Sequence, residues 1–207
     1  MRHYKGAVLL LATLGSAGCA SNTGFTSTWR DPTVKSVQFT KVLAVTISKE
    51  EGLRRSFETE MVKAIEANGK AEGVPAYSLF TVEELRDTAR AKPKAIAAGI
   101  DGIVTMRVVA VEKEQRYVEG TATMYGGGGY YGNPWGYYNY GWTAVYTPGY
   151  LVTDQYVQVE THIYSLPLNK LIWAGRSETV NPGSVEKLVD EVGAAVGEEL
   201  RAEGLVK

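Results

Sequence analysis

The pattern that most constrains the fold is a short β-branched segment followed directly by an amphipathic one. Residues 41–47 (KVLAVTI) form an apolar, β-branched run, which predicts a buried strand. Apolar residues then recur four positions apart, which predicts one buried face of a helix; they are Leu53, Phe57, Met61 and Ile65. A chain that alternates strands and helices in this way is expected to pack its helices on a sheet.

Helix boundaries are marked by capping patterns. Ser48 followed by Glu51, and Thr81 followed by Glu84, each fit a capping box, in which two side chains pair with backbone N–H groups at the helix start. Gly69 follows Asn68 and predicts a helix end in the left-handed conformation. The sequence therefore predicts helices that begin near residues 49 and 82.

The rest of the chain continues the alternation. Further strands are predicted over 74–80, 102–111, 156–164 and 171–175, and further helices over 81–98, interrupted or restarted at Pro93, and 184–204. The expected fold class is α/β, a β-α-β-α-β-β-β-α sandwich with the helices packed on one mixed sheet and a Gly/Tyr-rich ribbon inserted. It forms one domain over 41–205, in which Trp173 and Leu188 are buried.

The beginning of the chain resembles an export signal. Arg2 and Lys5 precede a short apolar run, far below the roughly 20 residues of a membrane-spanning helix. Residues 17–19 (AGC) resemble the end of a bacterial lipobox, which predicts a lipoprotein signal peptide over 1–18 and lipidation at Cys19. Ordinary cleavage after Ala20, without a lipid, is the alternative. Residues 19–40 are rich in Ser, Thr and Asn and are interpreted as a tether.

The insertion over residues 120–153 has an unusual composition. It carries no charge from Gly120 to Thr153, and eight of the chain's 13 tyrosines lie between residues 125 and 150. Its flanks alternate and favour strands, so we expect a ribbon that extends two neighbouring strands and ends in an aromatic tip. Tyrosine and tryptophan suit recognition surfaces. The candidate binding residues are Tyr137, Tyr138, Tyr140 and Trp142; an aromatic ribbon that packs back on the domain is the alternative.

Several kinds of chemistry are not expected. Glycines 127, 129 and 132 match a nucleotide-loop spacing, but residues 133–136 (NPWG) cannot begin the helix that such a loop requires, so no nucleotide is expected. A formal net charge of −1 argues against a nucleic-acid partner. Without the signal, His162 is the one histidine and no cysteine other than Cys19 remains, so no metal, cofactor or catalytic site is predicted and the protein is expected not to be an enzyme.

Three segments carry a resemblance to a known family: KVLAVTISKEEGLRRSFETEMVKAI, GIDGIVTMRVVAVE and ETHIYSLPLNKLIWAGRSE. They resemble uncharacterised bacterial lipoproteins with a domain of unknown function. The order of elements is similar to the anticodon-binding-domain-like fold of the TolB amino-terminal domain, of penicillin-binding-protein activator lipoproteins and of the curli secretion lipoprotein. These motifs are structural, so the resemblance transfers no functional residue.

Two functional hypotheses follow. In the first, the chain is anchored through its lipid to the periplasmic face of the outer membrane and acts as a protein-interaction or envelope-assembly module, with an envelope protein as its partner. Ala20 after Cys19 favours the outer membrane, by resemblance to Gram-negative lipoproteins. In the second hypothesis, stacked aromatic residues of the insertion bind a glycan or another small envelope ligand.

Overall fold

A computed structural model describes residues 22–122 and 146–206. In these residues, five helices pack on a six-stranded mixed sheet that is not closed. The helices are α1 (Glu51–Asn68), α2 (Ala76–Leu79), α3 (Val82–Arg86), α4 (Thr88–Ala97) and α5 (Val185–Ala202). The strands are β1 (Thr23–Arg30), β2 (Lys41–Thr46), β3 (Glu72–Pro75), β4 (Gly102–Val118), β5 (Thr121–Ala122), β6 (Tyr146–Thr147), β7 (Tyr150–Ser165) and β8 (Lys170–Val180).

The sheet has the strand order β1-β8-β7-β4-β2-β3. Strand β2 pairs in parallel with β3 and β4, whereas the β4–β7, β7–β8 and β8–β1 pairs are antiparallel. The short strands β5 and β6 pair only with each other. The predicted α/β class, with helices packed on one mixed sheet, is confirmed.

Two apolar cores lie on opposite faces of the sheet, because successive strand residues point to opposite sides. The larger core joins α1 and α5 to the sheet and includes Ala44, Met106 and Trp173. The smaller core packs α2 to α4 against the other face around Leu43 and Phe80. Trp173 is 0% exposed and Leu188 is 5% exposed, so their predicted burial is confirmed.

The middle of the predicted tether is a strand. Residues 23–30 form β1, which pairs antiparallel with β8 at the edge of the sheet. The ring of Phe25 meets the ring of Trp173 edge to face, with the ring centroids 5.6 Å apart. Arg30, in the last position of β1, donates hydrogen bonds of 2.9 Å to the carbonyl oxygens of Val34 and Lys35. The ordered domain therefore begins well before residue 41.

The caps of the helices differ in part from those predicted. The capping box of Thr81 and Glu84 is present. The box of Ser48 and Glu51 is not formed, because Ser48 Oγ accepts a hydrogen bond from Glu50 N and α1 begins only at Glu51. The carboxylate of Glu51 instead pairs with the side chains of Arg54 and Arg55.

Two other helix details also differ from the sequence expectation. Gly69, after α1, has φ −158°, which is extended backbone rather than the left-handed conformation. The predicted helix over 81–98 is interrupted at Asp87, whose side chain accepts a hydrogen bond from Ala89 N and so starts α4. Pro93 lies inside α4 and does not end it. Among the described glycines, Gly99 and Gly204 have φ of 78° and 70°, in the left-handed region, and each lies two residues after a helix ends.

Candidate interaction surface

A two-stranded ribbon projects beyond one end of the sheet, as a continuation of its two central strands. Strands β4 and β7 pair from Gly102 and Ser165 as far as Val118 and Tyr150. Strand β8 accompanies β7 only to the pair of Tyr156 with Val180. Residues 113–118 and 150–155 therefore form a ribbon that pairs with no third strand among the described residues and is about 20 Å long at the usual rise per residue. The pairing of β5 with β6 lies beyond it, so the predicted strand extension is present at its base.

Polar contacts fix the base of the ribbon to the end of β8. Arg116 Nε lies 3.1 Å from Asp154 Oδ2 across the ribbon. Asn181 donates through Nδ2 to Asp154 Oδ1 at 2.8 Å, and its Oδ1 accepts from Gln155 N at 2.7 Å. The hydrogen bond from Asn181 and the Arg116 guanidinium lower the pKa of Asp154, so its carboxylate stays charged and keeps these contacts at neutral pH.

Exposed apolar side chains concentrate on β4 and β7. In the described part of the chain, five of the ten exposed large apolar residues belong to these two strands: Val108, Val111, Tyr117, Tyr150 and Leu151. Tyr117 and Leu151 are directly paired and are 62% and 67% exposed. Tyr117 and Val111 lie an even number of residues apart on β4, so with Leu151 they share one face of the β4–β7 pair. Exposed apolar residues grouped in this way make this face a candidate interaction surface.

The side chain of Tyr117 lies against the backbone of Gly149. A Cβ atom at Gly149 would stand 2.1 Å from Tyr117 Oη, so only glycine leaves room for this ring. Aromatic rings that cover a glycine on a neighbouring strand help to hold the register of a ribbon. The glycine and the tyrosine thus act together at the outer end of β4 and β7.

The described chain begins at the same end of the sheet as the ribbon. Thr23, Thr179, Val157 and Val111 form one row across β1, β8, β7 and β4. Val180 N donates to the carbonyl oxygen of Asn22 at 3.0 Å, immediately before that row. The chain thus enters β1 at the level where the ribbon leaves the sheet.

A buried carboxylate is the feature that the sequence analysis did not identify. Glu58 on α1 is fully buried and accepts hydrogen bonds from Thr46 N at 3.2 Å and Tyr77 N at 2.7 Å. Burial raises the pKa of Glu58, while the two backbone donors and Arg54, at 3.4 Å, oppose the shift. Glu58 therefore joins α1 to the ends of β2 and β3, and its partners are those of a structural group.

That buried pair has a weak sequence signal. Glu51, Arg54 and Glu58 are spaced three and four apart, so they share a helix face and can pair along it. The same spacing is common on solvated helices, and nothing in the sequence states that this face is buried. The burial comes from the packing of α1 on β2 and from the chain that follows β3.

On the sheet face opposite α5, the part formed by β7, β8 and the middle of β4 is polar, beside the smaller core. Glu160 accepts hydrogen bonds from Arg107 at 2.6 Å and Arg176 at 2.5 Å, and these two guanidinium groups, Arg176 foremost, lower its pKa. His162 is half-buried on this face, and its ring meets that of Tyr164 edge to face at 6.2 Å. Gln158 and Glu160, which lie on the same face of β7 as His162, are likewise half-buried.

Neither a metal cluster nor a membrane-spanning helix is found in the residues that the structure describes. No group of three or more His, Cys, Asp or Glu residues there could hold a metal ion. No helix in the same ranges has the length and apolar character needed to cross a membrane.

The predicted functional residues lie outside the described residues. This holds for the lipidation site, Cys19, and for the aromatic candidates Tyr137, Tyr138, Tyr140 and Trp142. Their roles therefore stay predictions. In the sequence, strands β4 and β5 precede the aromatic candidates, and strands β6 and β7 follow them.

Comparisons with known proteins give weak structural likenesses. No family model and no curated protein matches the chain. Similar solved structures include the PelC dodecamer from Paraburkholderia phytofirmans, at 8% identity and TM-score 0.46, covering 89% of this chain and 99% of that one. They also include lipoprotein GNA1162 from Neisseria meningitidis, at 12% identity and TM-score 0.40, covering 79% and 99%. Likenesses of this size say nothing about the function of this chain, and the similarity to the TolB and penicillin-binding-protein activator domains stays a prediction.

Proposed function

We propose that this chain is a lipid-anchored envelope protein that presents the β4–β7 ribbon to a protein partner at the same membrane. The observation that carries the proposal is that β1 and the ribbon begin at the same end of the sheet. The residue row that contains Thr23, four positions after Cys19, is also the row beyond which the ribbon projects. The acyl chains on Cys19 supply the membrane affinity. Ala20 supports anchoring in the outer membrane, with the domain on its periplasmic face.

The short connection from Cys19 to β1 supports a position of the ribbon near the anchor. Cys19 precedes Thr23 by four residues, which span at most about 14 Å when extended. Residues 111–118 continue beyond the same row for about 23 Å. An anchor on so short a connection keeps this end of the sheet close to the lipid surface. The ribbon can therefore contact a protein that lies at the same membrane.

The composition of the ribbon favours a protein over the lipid headgroups. Lipid-binding segments are rich in lysine and arginine, because the headgroups that they recognise are anionic. Residues 112–119 (EKEQRYVE) contain three acidic and two basic side chains, and Asp154 adds another acid across the ribbon. Mixed charges around exposed tyrosine and leucine are typical of protein interfaces.

Photo-crosslinking in cells tests this proposal. A photoreactive amino acid placed at Tyr117 or Leu151 should give discrete adducts with one protein partner. The matched control is Ile96 on α4, which is also exposed but lies outside the ribbon. Adducts from both ribbon positions and none from Ile96 support the proposal. Equal labelling at all three positions, or lipid as the only crosslinked species at the ribbon, would contradict it.

A further inference from the structure

An apolar cavity of about 760 Å³ lies between the two long helices and the sheet. Its floor is formed by side chains of β4 and β7, among them Val104, Met106 and Ile163. Its walls are the second half of α1, from Met61, and the second half of α5, from Gly193. Residues 37–40 and Leu205–Val206 complete the wall on the side where β2 and β4 begin.

The helices meet closely along one wall of this cavity. A Cβ atom at Gly193 would stand 2.8 Å from the Cβ of Ala64, and one at Gly197 would stand 2.4 Å from Asn68 Oδ1. Larger residues at these two positions would push α5 away from α1. Small residues on α5 therefore allow the two helices to approach closely here.

The charge at the cavity is of one sign. Among the described residues that line it, Lys70 is the only charged one, and it is exposed. The lining is otherwise mainly aliphatic, with polar side chains such as Gln38 and Asn68 in addition. An apolar interior beside a single exposed ammonium group is complementary to an amphiphile that has an apolar tail and an anionic head.

The size of the cavity fits an alkyl chain. Small-molecule sites commonly have volumes of about 300–1,000 Å³. An apolar cavity of about 150 Å³ holds one benzene molecule, and this cavity, at about 760 Å³, is roughly five times larger. We propose that it binds a single-chain anionic amphiphile, with the acyl chain between α1 and α5 and the headgroup at Lys70.

One buried hydroxyl group in the lining sharpens this proposal. Thr161 lines the cavity, and its Oγ1 is buried without a hydrogen-bond partner among the described residues. An alkyl chain has no hydrogen-bonding group that could pair with this oxygen. Thr161→Val, which replaces the hydroxyl by a methyl group of similar size, should therefore leave the binding of a simple fatty acid unchanged or make it tighter.

Displacement of a fluorescent fatty acid tests the proposal. The full chain carrying Cys19→Ser, which cannot receive its own acyl group, is titrated with cis-parinaric acid and then with palmitate or hexadecanol. Palmitate should displace the probe at one site per chain and bind more tightly than the neutral alcohol. Lysophosphatidylglycerol, which has one chain and a phosphate, distinguishes the sources: tighter binding than palmitate assigns the ligand to membrane lipid, and weaker binding assigns it to free fatty acid.

Charge reversal and cavity filling identify the site. Lys70→Glu should weaken palmitate several-fold and leave hexadecanol unchanged, whereas Lys49→Glu, an exposed lysine outside the lining, should change neither. Val104→Phe on the floor, or Ala71→Phe at the wall if the first variant does not fold, should reduce the binding of both ligands. Circular dichroism checks the fold of every variant.

Three results would overturn the proposal. The first is failure of palmitate to displace the probe from the folded chain. The second is full affinity in both Lys70→Glu and the cavity-filling variant, which would place the fatty acid elsewhere. The third is loss of palmitate binding in a folded Thr161→Val variant, because a ligand that needs this hydroxyl is polar at that depth and is not a simple acyl chain.

Discussion

At the scale of single residues, the larger core depends on a few side chains that no solvent reaches. Trp173 on β8 and Val189 on α5 are fully buried, and Leu188 beside them is 5% exposed. These residues belong to one cluster that joins α5 to the sheet. Leu188 and Val189 belong to the apolar stripe of α5, which continues at residues 192 and 196 and packs on the sheet where Trp173 lies.

Leu188→Ala should lower the free energy of unfolding by about 2–5 kcal/mol, the usual range for truncating a buried leucine. Urea denaturation followed by tryptophan fluorescence measures the change. Val185→Ala, one turn earlier and only half-buried, is the matched control and should cost less. A loss below about 0.5 kcal/mol for Leu188→Ala would mean that α5 does not pack on the sheet as described.

Glu51 makes stability depend on acid. Hydrogen bonds from Arg54 and Arg55 lower the pKa of Glu51 to about 2, from the usual 4.5 of a glutamate. The folded state therefore holds this carboxylate charged more strongly than the unfolded chain does. Its stabilising contribution is complete above pH 4.5 and is lost as the pH falls through 2.

Glu51→Gln should accordingly reduce the fall in stability between neutral and acid pH. Urea unfolding at a series of pH values measures the slope for the variant and for the unchanged chain. Glu50→Gln is the matched control, because this neighbouring glutamate is exposed and forms no ion pair among the described residues. Identical slopes for Glu51→Gln and the unchanged protein would show that these arginine contacts are not formed in solution.

Cys19 carries the proposed anchor. Cys19→Ala should move the protein from the membrane fraction to the soluble fraction, because the acyl chains supply the membrane affinity. Fractionation followed by immunoblotting measures the distribution. A variant that stays with the outer membrane would show that something other than a lipid on Cys19 holds the protein there.

At the scale of elements, β1 and the outer half of β4 are the parts that sequence reasoning missed. Residues 20–38 have the polar composition of a linker, yet β1 forms because β8 offers it an unpaired edge. Residues 112–116 (EKEQR) lack the alternation of apolar and polar residues that marks a half-buried strand, because both faces of β4 are exposed to solvent here. In both cases the partner strand decides the structure, and it is distant in sequence.

Phe25 tests whether β1 is part of the domain. Phe25→Ser removes the ring that lies edge to face on Trp173 and should cost about 1–3 kcal/mol, since the ring is half-buried. Trp29→Ser on the same strand is the control, because Trp29 is largely exposed, and its effect should stay within about 0.5 kcal/mol. Thermal and urea unfolding measure both, and equal small effects would leave β1 a tether.

At the scale of the whole molecule, the described residues present two separate candidate binding features. The ribbon projects from the end of the sheet where β1 begins, whereas residues 37–40 and 205–206 close the cavity on the side where β2 and β4 begin. The sequence indicated a ribbon at the insertion, since the segments on both sides of the insertion alternate, but it did not indicate residues 112–116 as part of a strand. It could not indicate the cavity or the burial of Glu58, because each is formed by segments that only folding brings together.

The most direct test of the central claim, that the ribbon is the contact surface for a partner, is to remove its exposed apolar pair. Tyr117→Ser and Leu151→Ser are combined in one variant, and Ile96→Ser on α4, where the side chain is also exposed, is the matched control. Thermal unfolding and the copurification of crosslinked partner are measured on the same preparations. The account predicts an unchanged melting temperature and a sharp loss of partner. An unfolded or insoluble variant, or a folded variant that retains its partner in full, would contradict it.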